Sequence, residues 1–102
     1  MGFIYVAEYE RMPLALGQFF QAADERSLMA EQTVVNTGAS AQSAAFTSTT
    51  KLVRVHTDSV CSIAFGTNPT ATTAMKRMAA NTTEYFGVPP GLSWKIAVVL
   101  NT

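Results

Sequence analysis

Hydrophobic and polar positions alternate with a period of two over most of this chain, the spacing of β-strands. From Phe3 to Tyr9, Phe3, Tyr5, Ala7 and Tyr9 share one face and Ile4, Val6, Glu8 and Glu10 the other. Leu28 to Asn36 reads as a strand that ends at Asn36, Thr37 and Gly38. Lys51 to Thr57 alternates, Asp58 and Ser59 interrupt it, and Val60 to Phe65 alternates again. Two strands separated by two turn residues predict a hairpin. A short strand is expected within Ala74 to Ala80, another over Thr82 to Val88, and a closing one from Trp94 to Leu100. Pro13 to Asp24 carries the one helix-like spacing, with Leu14, Leu16, Phe19, Phe20 and Ala23 near a helical repeat. Gly17 weakens that reading, and an extended arm fits the same residues.

Short strands at near-regular spacing predict an all-β fold, a small antiparallel β-sandwich or jelly-roll-like barrel with an N-terminal arm. Residues 1–36 form the expected arm and 43–102 the sandwich body. The uncharged stretch from Thr37 to Ser43 lies between them as a linker. Val53, Val55, Cys61, Ile63, Phe65, Phe86, Ile96 and Val98 are the expected core. Pro89, Pro90 and Gly91 predict a stiff reversal after the strand that carries Tyr85 and Phe86.

Composition narrows the function. At 102 residues the chain suits one domain with a real core. Apolar residues make up 48% and charged residues 14%, with seven acids balancing seven bases. That balance offers no basic footprint for nucleic acid and no polybasic strip for a membrane surface. No apolar run reaches the ~20 residues of a membrane helix, and the N-terminus lacks the basic region of a secretion signal. Synthesis in a cytoplasm, without a membrane partner, is expected.

Candidate chemistry is sparse. One cysteine and one histidine cannot make a structural zinc site, and no metal or cofactor is expected. His56, Asp58 and nearby serines lack a nucleophile elbow and the rest of a hydrolase site, so no catalytic residue is assigned. Cys61 shares a face with Ile63 and Phe65 and reads as a buried, inert thiol. Asn81, Thr82 and Thr83 match a glycosylation acceptor by chance in a Thr-rich loop. The uncharged loop from Gly66 to Thr72 reads as a structural turn, since a phosphate-binding loop would need a helix start and usually a lysine. The N-terminal apolar residues stand out instead. Phe3, Tyr5, Tyr9, Leu14, Leu16, Phe19 and Phe20 crowd a segment too small to bury them alone, and they either complete the core or anchor a partner.

One resemblance adds to this reading. Ala45 and Phe46, Lys51 to Val55, Cys61 to Thr72, Glu84 to Gly91 and Lys95 to Val98 together resemble a pattern in small bacteriophage virion structural proteins. The resemblance covers about half the chain. It implies a non-enzymatic protein at the capsid surface of a virion, made in the bacterial host cytoplasm, that decorates or cements the assembled head. Its implied partners are the major capsid protein and copies of itself. Closed symmetry is the common outcome for self-complementary surfaces, and a trimer is the expected form. The alternative is a head- or tail-fibre-associated module that contacts a host surface glycan. The chain carries no stalk repeat or coiled coil of the kind a fibre needs.

Overall fold

The structure is a computed structural model that describes residues 2–10, 14–15, 18–19 and 28–101. It is a β-sandwich, and the described residues contain no helix. Among the described residues ten strands follow in chain order: β1 (Gly2–Tyr9), β2 (Leu14–Ala15), β3 (Gln18–Phe19), β4 (Leu28–Asn36), β5 (Ala41–Gln42), β6 (Leu52–Thr57), β7 (Cys61–Gly66), β8 (Arg77–Met78), β9 (Thr82–Gly87) and β10 (Lys95–Leu100). The first sheet has the order β4-β1-β6-β9 and the second β5-β10-β7-β8. Every pairing is antiparallel. No helix among the described residues is long and apolar enough to cross a membrane.

One core lies between the sheets. The first sheet sends in Ile4, Val6, Val34, Val53 and Val55, and the second sends in Cys61, Ile63, Met78, Ile96 and Val98. Phe65 and Phe86 pack on it half-buried, their ring centroids 5.1 Å apart at a tilt of 54°, a favoured geometry for aromatic pairs. Every expected core residue therefore belongs to this cluster or, for Phe65 and Phe86, packs against it.

Three expectations are corrected. The arm is not separate from the body along its first strand. Gly2–Tyr9 sits between β4 and β6, and fully buried Ile4 packs in the same core as Val53 and Val55. The stretch expected as a linker is also tied in. Ser43 N–H donates to the Ile96 carbonyl at 2.8 Å, Ile96 N–H donates to Ser43 Oγ at 3.0 Å, and Leu100 N–H donates to the Thr37 carbonyl at 2.7 Å.

The hairpin expected over 51–65 is instead a crossing between sheets. β6 pairs with β1 and β9, whereas β7 pairs with β10 and β8. Both strands are apolar on one side. Folding the chain over at 58–60 sets those two sides face to face, and each buries the other. Thr57 shapes the corner. Its hydroxyl donates to the Ser59 carbonyl at 2.6 Å and accepts the Ser59 N–H at 3.2 Å, a side-chain-closed turn.

The helix-like spacing of Pro13 to Asp24 yields no helix at the residues described there. Leu14 pairs with Phe19 and Ala15 with Gln18, a short antiparallel ribbon. The rest of that segment, including Leu16 and Phe20, lies outside the described residues.

Candidate functional site

The two outer faces of the sandwich differ. On β10, Ile96 and Val98 point into the core, and the alternate residues Ala97 and Val99 are buried too. A second apolar cluster covers them: Ala71 packs on Ala97 and Val99, with Ala64 beside it. Small side chains at 64, 71 and 97 let backbone approach backbone. The loop that carries Ala71 is tied across the face by Ala71 N–H to Ser40 Oγ at 2.9 Å. Gln42 Nε2 donates to Asn68 Oδ1 at 2.9 Å and to the Pro69 carbonyl at 2.7 Å, and Asn101 Nδ2 donates to the Thr73 carbonyl at 3.2 Å. The Gly66 to Thr72 loop is thus a lid on the second sheet.

The outer face of the first sheet stays open. Phe3 and Tyr5 of β1 are 41% and 43% exposed, and Val35 of β4 is 44% exposed. Phe3 pairs across the strands with Val35, and Tyr5 with Thr33 on one side and His56 on the other. Ring contacts run from Phe3 to Tyr5 at 6.5 Å and from Tyr5 to His56 at 6.1 Å. His56 Nδ1 is 2.9 Å from Thr83 Oγ1, which continues the row onto β9. The next row is Glu31, Ala7, Arg54 and Tyr85. The small Ala7 leaves a depression of about 650 Å³ bordered by Tyr5, Tyr9, Glu31, Gln32 and Arg54, within the size range of small-ligand sites.

Of the site residues expected from sequence, Phe3 and Tyr5 stand together on this face. Tyr9 does not join them as an exposed residue. Tyr9 borders the depression with Tyr5 but is buried, opposite buried Leu52, and the register shift beside it leaves Met29 as an extra residue of β4. Leu14 and Phe19 pair in the β2–β3 ribbon. Leu16 and Phe20 fall outside the described residues. Sequence reasoning missed Val35, Glu31 and Arg54. The period-two spacing of Glu31, Thr33 and Val35 was their signal, and only the β1–β4 register places them beside Phe3 and Tyr5.

A buried carboxylate was missed as well. Glu8 is 2% exposed. Its Oε1 accepts from Thr47 N–H at 2.7 Å, Thr47 Oγ1 at 2.9 Å and Thr50 Oγ1 at 2.9 Å, and its Oε2 accepts from Gln32 Nε2 at 3.3 Å. The same Gln32 side chain grips Ala44, accepting its N–H at 2.9 Å. Glu8 therefore pins the 44–50 loop to the first sheet, and hydrogen bonds take the place of a counter-charge.

His56 and Asp58 serve different partners. Asp58 Oδ1 accepts the Phe3 N–H at 2.9 Å and the Ser59 hydroxyl at 3.2 Å. A side chain at Gly2 would run into Asp58 and Ser59, so glycine permits this close corner. The Cys61 thiol is fully buried. Burial pushes its pKa up, a hydrogen bond with Thr57 opposes this, and the Glu84 carboxylate adds to it. The described residues hold no group of three or more His, Cys, Asp or Glu side chains placed to bind a metal ion.

No protein-family model, curated protein or solved structure matches the chain.

Proposed function

We propose that this chain is a non-enzymatic structural protein of a bacteriophage particle that decorates or cements the assembled capsid. The open face of its first sheet is its assembly surface. One observation carries the reading. The second sheet is sealed by its own loop, whereas Phe3, Tyr5 and Val35 of the first are held exposed side by side. Adjacent exposed aromatic and aliphatic side chains are the usual mark of a partner surface. The resemblance of residues 45–98 to virion structural proteins supplies the class of particle, with the major capsid protein and further copies of this chain as partners.

The test is binding of purified protein to undecorated capsids. Wild type should bind saturably, and Phe3→Ser with Tyr5→Ser should weaken binding by about tenfold or more, because copies that no longer associate through these anchors lose their joint attachment. Both positions are exposed, so the melting temperature should hold. Wild type that ignores capsids overturns the proposal.

The depression over Ala7 favours a second reading, a host-glycan-binding module. Tyr5 offers a ring for stacking, and Glu31, Gln32 and Arg54 offer hydrogen bonds to hydroxyls. Binding of the protein to a glycan array, lost in Tyr5→Ser, would select it.

A further inference from the structure

Resting on the reading of that face as an assembly surface, we propose that its occupant is a second copy of this chain, packed face to face about a two-fold axis along β1. The argument is charge complementarity. Ala7 has Glu31 as its neighbour on β4 and Arg54 as its neighbour on β6. With strands about 4.8 Å apart, these opposite charges stand about 10 Å apart on either side of β1. Among the described residues neither side chain has an ion pair or a hydrogen bond.

A two-fold axis along β1 exchanges the flanks. Glu31 of each copy then meets Arg54 of the other, and two ion pairs form at once. The same operation sets Tyr5 over Tyr5, Ala7 over Ala7, and Thr33 opposite His56. Sheets that pack face to face lie about 10 Å apart with interdigitated side chains, and the depression over Ala7 leaves room for the paired charged ends. Tyr5 and Phe3 supply the apolar centre, and the ion pairs set the register. An isologous contact of this kind closes on itself as a dimer, which differs from the trimer expected from sequence.

The test is charge reversal read by analytical ultracentrifugation, with melting curves as the folding control. Wild type should be dimeric. Glu31→Arg and Arg54→Glu should each weaken the dimer by about 100-fold, because each sets like charges face to face. An equimolar mixture of the two variants should form a heterodimer nearly as tight as the wild-type dimer, since each then meets its opposite. If Arg54→Glu does not fold, Arg54→Gln takes its place and should weaken self-association by about tenfold. A wild-type monomer, a wild-type trimer, single variants that associate normally, or a mixture that stays monomeric overturns the inference. Capsid binding is scored separately. A monomer that binds capsids sinks this inference alone, and a dimer that does not bind them sinks the proposed function alone.

Discussion

Glu8 and Cys61 show how burial changes what a residue means. Glu8 sits on the inward face of β1 in line with Ile4 and Val6, a position where a carboxylate costs free energy unless it is fully hydrogen-bonded. Three donors within 2.9 Å meet that requirement at one oxygen. Glu8→Ala should therefore lower stability by about 3 kcal/mol, since it orphans the Thr47 N–H and the hydroxyls around it. Glu8→Gln, which keeps the shape and loses the charge, should cost less; urea unfolding of both variants checks the order. Cys61 should resist alkylation in the native protein and react fully once unfolded. The sign of its pH effect follows from its raised pKa. Both states hold the proton below the ordinary thiol pKa. Above that value the unfolded chain ionises and the folded chain does not, so this contribution to stability falls as pH rises through the alkaline range. Cys61→Ser should reduce that alkaline slope in denaturation curves measured across pH.

At the scale of elements, β1 matters most. It holds β4 on one side over eight paired positions and β6 on the other over six. Without it, β4 and β6 lose their common neighbour and the core loses Ile4 and Val6. A fragment of residues 43–102 should consequently fail to fold, seen as loss of β-sheet circular dichroism and of a cooperative melt. A folded fragment would restore the division into arm and body. Single strands were legible in the sequence because alternation is a local signal: Leu28–Asn36 and Thr82–Gly87 fall where their patterns placed them. Partnership was not legible. Two apolar-faced strands joined by Asp58 and Ser59 can lie side by side or fold over each other, and the local pattern is the same for both.

At the scale of the whole molecule, residues from both sheets and from both sides of the 37–43 stretch form one buried cluster. Such a core should unfold as a unit, with one calorimetric transition whose van't Hoff and calorimetric enthalpies agree. Two resolved transitions would contradict it. The lid on the second sheet and the open face of the first give the sandwich one sealed side and one exposed side. That asymmetry, and not any cluster of reactive groups, is what the proposed role rests on.

The sequence by itself determined the all-β class, most strand positions, the core of Val53, Val55, Cys61, Ile63, Ile96 and Val98, and the aromatic character of Phe3 and Tyr5. Those properties follow from side-chain periodicity and solvation, which act within a few residues. Tertiary structure alone decided that β1 is central, that β6 and β7 belong to different sheets, and that Ala71 covers Ala97 and Val99. It also decided that Glu8 is buried and that Glu31 and Arg54 flank Ala7. Each of these depends on which strands become neighbours, and that choice is made by the burial of whole faces against one another across distant stretches of chain.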